Sequence, residues 1–321
     1  MKVVLIPQRI IAPLDDEQQV RRIREAAGAE DVVVLASDEG TWRRELHDAD
    51  VLFGDVTPNI LESGPQLRWV QSVGAGVDRI AQMLAGRPVR LTGVRGIVGP
   101  QLAEHALALL LSLTRGVAAA IRTPGWEHRL TIRRTQWELT GRTFLVVGLG
   151  GTGRAFVQRI RAFDPARIIG VEPYPDGAAL DVDDVVHPDA IDEVLPFSDV
   201  VVLTLPLTAS NRGWFDANRI ARMPRGSILI NVSRGGLVRD EAIVEALRSG
   251  HLYGAGLDVV EDEPPGPEHP IWSVPSAVVT PHIAGGSPRR ADAVIDHFCE
   301  NLRRYRSGEP LLSEYDADRG F

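Results

Sequence analysis

The stretch that most constrains this chain runs from Phe144 to Glu172 and reads FLVVGLGGTGRAFVQRIRAFDPARIIGVE. Phe144 to Val147 is an apolar, β-branched run of strand length. Gly148, Gly150 and Gly153 then form G-x-G-x-x-G. A helical pattern follows, with Phe156, Ile160 and Phe163 at i, i+4 and i+7, and Pro165 stops it. Arg167 to Val171 is a second predicted strand, ending at Glu172. The first glycine permits a tight strand-to-helix turn, the second lets a pyrophosphate approach the backbone, and the third lets the helix pack closely on the strand. The helix N-terminus offers unpaired N–H groups and a partial positive charge to phosphates. Glu172 stands about 20 residues after the last glycine, where a carboxylate takes ribose hydroxyls. A glycine-rich turn alone is common. Flanked by strand, helix and terminal acid, it points to a dinucleotide site.

At 321 residues the chain exceeds one comfortable core, so two domains are expected. The net charge of −8 argues against nucleic acid or an anionic membrane as the main partner. Cys299 is the only cysteine, which rules out an intrachain disulfide and a cysteine zinc site, and no metal is expected. The first ten residues hold too short an apolar run for a signal peptide, and Arg9 interrupts them, so a cytoplasmic location is expected. Lys2 is the only lysine, which nucleotide composition bias explains. It also excludes a P-loop lysine and an interior Schiff base.

Read in order, the chain alternates predicted strands and helices. Strands are expected at Lys2 to Pro7, Val32 to Leu35, Val51 to Phe53, Leu67 to Ser72 and Val89 to Thr92. Helices are expected at Asp15 to Ala27 and Thr41 to His47. This is a small parallel α/β unit. Gln101 to Ala120 is the longest apolar segment. Glu104, His105 and Arg115 interrupt it, so it reads as one buried helix rather than a membrane span. Residues 122 to 140 read as a polar loop or extended arm. After Glu172, strands are expected at Val200 to Leu205, Ile228 to Val232, Tyr253 to Val259 and Val278 to Thr280. A helix is expected at Asp240 to Ser249, closed by Gly250. Strands this apolar suit a sheet covered on both faces. The last helix, Pro288 to Arg306, carries the chain away from this domain.

Ligands bind doubly wound sheets beyond the carboxyl ends of the strands. Three polar residues are predicted there. Arg234 follows ILINVS, Glu263 follows GLDVV, and His282 follows VVTP. Singly, they are a surface arginine, a solvated acid and a core histidine. Together, on the edge that carries the glycine loop, they form a candidate active site. Arginine holds a carboxylate bidentately and polarises an adjacent carbonyl. Histidine exchanges a proton near neutrality, and a nearby carboxylate favours its charged form. The set fits hydride transfer to a 2-keto acid, with the proton supplied by His282.

These residues lie in a series that resembles the D-isomer-specific 2-hydroxyacid dehydrogenases. The series comprises GLGGTGR, TLPLT at 204–208, NVSRGGLV at 231–238, GLDVVEDEP at 256–264 and TPHIAG at 280–285. SVGAGVD at 72–78, AEHALALLLSLTR at 103–115 and ENLRRYRSGEPLL at 300–312 are similar too. The resemblance covers nearly the whole chain, in order. It implies an α/β protein of two doubly wound parallel-sheet domains, with a Rossmann cofactor domain (residues 99–287) inserted into a flavodoxin-like substrate domain (1–98 plus 288–321). It implies that Arg234 binds the substrate carboxylate and carbonyl, that His282 is the general acid/base and that Glu263 is its partner. Backbone groups of Val73, Gly74 and Ala75 would hold the substrate carboxylate. Gly148, Gly150, Gly151, Thr152, Gly153, Arg154, Glu172, Thr204, Leu205, Pro206, Val232, Ser233, Asp258, His282 and Gly285 would contact the cofactor, Asp258 at the nicotinamide carboxamide. The family usually dimerises through its cofactor domain, so a homodimer is expected.

The chain departs from the family pattern in places. Glu172 replaces the usual aspartate, and Pro173, Tyr174 and Pro175 offer no arginine for a 2′-phosphate. This favours NAD over NADP, with Arg154 as the counter-argument. Glu263 disfavours formate dehydrogenase, whose relatives carry glutamine there. No appended regulatory domain like that of long phosphoglycerate dehydrogenases is expected. Glyoxylate or hydroxypyruvate reduction and phosphoglycerate oxidation both stay open. So does another class of function, a dinucleotide-sensing binding protein like the transcriptional co-repressors that resemble this family.

Overall fold

The computed structural model describes residues 1–7, 17–175 and 181–320. The chain forms two compact units, one of Met1–Val98 with Gly286–Phe321 and one of Gly99–Gly285.

The first unit begins with β1 (Lys2–Ile6), α1 (Glu17–Ala27), β2 (Val32–Leu35), α2 (Glu39–Leu46) and β3 (Val51–Gly54). It continues with α3 (Pro58–Ser63), β4 (Trp69–Ser72), α4 (Asp78–Met83) and β5 (Arg90–Thr92). Its strands form a parallel five-stranded sheet in the order β2-β1-β3-β4-β5. That is the flavodoxin-like order. Successive strand side chains point to opposite faces. Val3, Leu5 and Phe53 therefore join one core with Trp69, and Val4, Ile6 and Leu52 join another with Leu46 and Leu61. Sequence signals set the helix ends. The Asp38 side chain accepts from Thr41 N–H and starts α2, and Thr57 with Pro58 starts α3.

The second unit opens with α5 (Gly99–Thr114), α6 (Val117–Arg122) and α7 (Arg129–Thr135). Then come β6 (Thr143–Val147), α8 (Gly151–Ile160), β7 (Arg167–Val171), β8 (Asp184–Val186), α9 (Ile191–Val194) and β9 (Val200–Leu203). α10 (Ala217–Arg222), β10 (Ser227–Asn231), α11 (Asp240–Arg248), β11 (Leu252–Leu257) and β12 (Ala277–Val279) complete it. The parallel seven-stranded sheet has the order β12-β11-β10-β9-β6-β7-β8. Read from β8, this is the dinucleotide-fold order with one added edge strand, and its direction reverses between β6 and β9. Leu145, Val147, Val201 and Leu203 face one core, and Phe144, Val146, Val200 and Val202 face the other. Both faces are covered, as the continuous apolar strands require. The chain then returns to the first unit as α12 (Arg290–Ser307), which ends at left-handed Gly308. Phe298 of α12 stacks on Phe53 at 4.2 Å between ring centroids.

Two sequence expectations change. The segment from Gln101 to Ala120 is not one helix, because the chain breaks at Gly116 (φ 69°) between α5 and α6. Residues 122 to 140 are not a plain loop but hold a short 3₁₀ turn and α7. α7 buries none of its residues, so it carries no apolar stripe to be read. The three-residue edge strand β8 and the short helices α3, α4, α9 and α10 were not expected. Asp15, the expected start of the first helix, lies outside the described residues.

Candidate active site

The glycine loop is built as its spacing requires. Gly148 takes a positive φ of 96°, and a Cβ there would come within 3.0 Å of Leu205. A Cβ on Gly153 would lie 2.0 Å from the Gly148 carbonyl oxygen, so only glycine lets α8 start this close to β6. A Cβ on Gly150 would meet nothing within 4 Å. The loop is thus crowded at its first and third glycines and open at its second, where a pyrophosphate would need room. Gly151, Thr152 and Gly153 form the first turn of α8, whose N–H groups have no partner one turn back in the helix. The Glu172 carboxylate, just past β7, accepts from Leu149 N–H at 3.0 Å and Tyr174 N–H at 3.3 Å. It is therefore fixed at the loop with two backbone donors. Arg154 Nε donates back to the Leu149 carbonyl at 2.7 Å. Thr204, after β9, donates its hydroxyl to the Gly148 carbonyl at 2.7 Å, with the Val147 carbonyl at 3.1 Å. Leu205 and Pro206 continue from it, and the Pro206 carbonyl accepts from Asn211 Nδ2. Oxygen acceptors and a glycine-lined helix start suit a dinucleotide.

The three expected catalytic residues lie past β10, β11 and β12. Val232 is buried, and Ser233 turns back on Asn231, whose Oδ1 accepts from Ser233 N–H at 3.1 Å and Oγ at 3.0 Å. Asn231 Nδ2 donates to the Arg234 carbonyl at 3.0 Å, fixing the arginine backbone. A Cβ on Gly235 would lie 1.7 Å from the Val260 carbonyl oxygen, so the Arg234 loop presses directly on the Glu263 loop. Glu263 Oε1 accepts from Val260 N–H at 3.3 Å, and Oε2 lies 2.7 Å from His282 Nδ1.

The electrostatics follow from these contacts. The Glu263 hydrogen bond and charge raise the His282 pKa above the ordinary histidine value, against the partial desolvation of this half-exposed ring and the Arg234 charge. Burial pushes the Glu263 carboxyl up. The His282 bond and charge, the Val260 N–H and Arg234 outweigh it, so its pKa is lowered. A carboxylate accepts only, so the proton between the pair resides on Nδ1. The proton that titrates is then the one on Nε2.

Asp258, at the end of β11, is almost wholly buried. Its Oδ1 accepts from Ile283 N–H at 2.9 Å and Thr280 Oγ1 at 2.6 Å, and its Oδ2 accepts from Ala284 N–H at 2.9 Å. Its carboxylate thus holds the chain between His282 and Gly285. Val73, Gly74 and Ala75 lie in the first unit, after β4. There Gly74 N–H donates to Ser72 Oγ at 3.1 Å, and the Val73 carbonyl accepts from Arg290 Nη2 at 3.4 Å. The clamping roles of Asn231 and Thr280 escaped sequence reading. The asparagine just before a turn was the available signal for the first.

Residues 107–284 match the family described as D-isomer specific 2-hydroxyacid dehydrogenase, NAD binding domain. The chain belongs to this family. D-3-phosphoglycerate dehydrogenase of Mycobacterium leprae is 31% identical over 100% of this chain. The chain spans 60% of that relative's length. Hydroxypyruvate reductase of Thermotoga maritima is 33% identical over 72% of this chain and 75% of its own. The solved structure of an NADPH-dependent glyoxylate/hydroxypyruvate reductase from Sinorhizobium meliloti, in complex with NADP and sulfate, superposes with a TM-score of 0.82. It is 26% identical and covers 100% of both chains. The second unit is thus the nicotinamide-dinucleotide domain of a 2-hydroxyacid oxidoreductase family. Among the described residues no helix is long and apolar enough to cross a membrane.

The pair geometry makes a direct prediction. In an NMR titration the His282 imidazole should charge at higher pH than a free histidine. Glu263→Gln should lower that midpoint, because it keeps the shape and removes the charge. Equal midpoints in the two proteins would show that the carboxylate does not tune the ring.

Proposed function

We propose that this protein transfers a hydride between NAD(H) and a small D-2-hydroxy acid or its 2-keto acid, of the glyoxylate/hydroxypyruvate or phosphoglycerate type. The observation that carries the reading is the 2.7 Å His282–Glu263 pair on the strand-end edge that also bears Arg234 and the glycine loop. The cofactor's nicotinamide, when bound, supplies the hydride. The first turn of α8 and Arg154 would hold its pyrophosphate, and Glu172 would accept from its ribose hydroxyls. Gly151, Thr152, Thr204, Leu205, Pro206, Val232, Ser233, Asp258 and Gly285 belong to the same proposed contact set. Arg234 would bind the substrate carboxylate and polarise its carbonyl, and Val73, Gly74 and Ala75 would offer backbone donors to that carboxylate. His282, charged at the start of reduction, would pass the Nε2 proton to the carbonyl oxygen as it becomes an alkoxide. Glu263 would keep the other nitrogen occupied and compensate the imidazolium charge.

Glu172 supports NAD over NADP, because a carboxylate bonded to the loop repels a 2′-phosphate. The relative of known structure that holds NADP is the counter-case. A homodimer through the second unit belongs to the same reading. It is supported by the exposed apolar residues Ile121, Trp126 and Leu130 on and between α6 and α7, more than half accessible in each case. A cytoplasmic location is supported by the single, buried Cys299, which needs no oxidising compartment. Cell fractionation checks it, and recovery in the membrane pellet would oppose it.

The test is NADH consumption with a panel of 2-keto acids. Turnover is expected, with a higher kcat/KM for NADH than for NADPH. His282→Ala should cost roughly 10²–10⁴-fold in kcat, and Arg234→Ala should weaken both KM and kcat. Nucleotide binding without turnover on any keto acid would transfer the case to a dinucleotide-sensing binding protein. For assembly, light scattering should give twice the chain mass, and Ile121→Asp with Trp126→Asp should halve it. A wild-type monomer would exclude the dimer.

A further inference from the structure

His282 occupies the left-handed backbone region, with φ 52°. Non-glycine residues are uncommon in this region, histidine less so than most, and the conformation is held where the surroundings over-determine it. Here the surroundings are Asp258 and the groups behind it. His282 N–H donates to the Asp258 carbonyl at 2.9 Å and the Thr280 carbonyl at 3.0 Å. The next two N–H groups, of Ile283 and Ala284, converge on the two Asp258 carboxylate oxygens. Successive N–H groups beside a left-handed residue form a concave anion seat, and Asp258 fills it from within the protein.

Behind the carboxylate lies a further link. Thr280 Oγ1 is 2.6 Å from Asp258 Oδ1 and 2.8 Å from His105 Nε2. A hydroxyl has one proton to give. The shorter contact, to an acceptor-only carboxylate, takes it, so Thr280 accepts from His105 Nε2–H, and the same nitrogen also lies 3.4 Å from Asp258 Oδ1. This fixes the His105 tautomer and orders a one-way chain from His105 through Thr280 and Asp258 to the His282 loop. His105 lies on α5, the first helix of the second unit, and the loop is the last segment of that unit. The chain of bonds therefore ties the loop that carries His282 to a rigid helix of the same unit.

The geometry points to Thr280 and His105 as positioning residues that hold His282 against Glu263 through the Asp258 carboxylate. Neither would touch the substrate. The inference rests on the proposed role of His282, and its effect on the ring can be read without turnover. If Thr280 loses its hydroxyl, Asp258 loses a donor, the seat can shift, and Nδ1 no longer lies at hydrogen-bonding distance from Glu263. The ring would then feel less of Glu263 relative to Arg234, the other charge that acts on it with Asp258.

The test uses the full-length protein and the variants Thr280→Val, Thr280→Ser and His105→Phe. Two readouts are taken, the His282 NMR titration midpoint and kcat with a keto acid at saturating NADH. Thr280→Val and His105→Phe should lower the midpoint. Thr280→Val should lower kcat roughly tenfold to a hundredfold. Thr280→Ser, which restores the hydroxyl, should return both readouts to near wild type. An unmoved midpoint in either Thr280→Val or His105→Phe would overturn the inference, as would a kcat loss that Thr280→Ser fails to restore. A wild-type protein without turnover would refute the proposed reaction alone, because the midpoints would still test the positioning chain.

Discussion

A parallel sheet buried on both faces leaves its polar groups one place to gather. Strand interiors such as Phe144–Val147, Val200–Leu203 and Ser227–Asn231 lie buried, and their backbone groups are spent on the ladder. Side chains of different character can enter only where strands end. At the carboxyl ends of the second unit this yields the glycine loop after β6, Glu172 after β7, Thr204 after β9, Arg234 after β10, Asp258 after β11 and His282 after β12. The clustering is a consequence of that constraint, since one edge carries the glycine loop together with Arg234, Glu263 and His282.

Within that edge, fixed backbone geometry and tuned charge divide the work. Gly153 and Gly235 allow approaches that any side chain would block, at the Gly148 and Val260 carbonyls respectively. Asn231 and Asp258, both buried, satisfy backbone N–H and C=O groups of the loops that carry Arg234 and His282. The result is a set of side chains whose backbones are held in place by glycine approaches and buried polar clamps. The raised His282 pKa and lowered Glu263 pKa are two views of one hydrogen bond.

Much of this was legible in the sequence because it depends on local pattern. The strand–GxGxxG–helix–strand–Glu172 series fixes its own geometry, and β2 and β7 have the bounds expected from their short apolar runs. The carboxyl-edge residues could be placed because parallel topology determines where a strand's end lies. What could not be read depends on contacts distant in sequence or on missing periodicity. α7 buries nothing and so has no stripe, and β8 is an edge strand of only three residues. The break at Gly116 is a single left-handed residue within an apolar run. Thr280 and His105 are 175 residues apart, and only the fold brings them to 2.8 Å.

The central claim is that Glu263 sets the protonation of His282 for keto-acid reduction. The most direct measurement is kcat/KM against pH for wild type and Glu263→Gln, with one keto acid and saturating NADH. A raised pKa keeps the imidazole charged to higher pH, so reduction should persist in wild type and fail as pH rises through that value. The account predicts that the alkaline limb moves to lower pH in Glu263→Gln. An alkaline limb at the same pH in both proteins would contradict it.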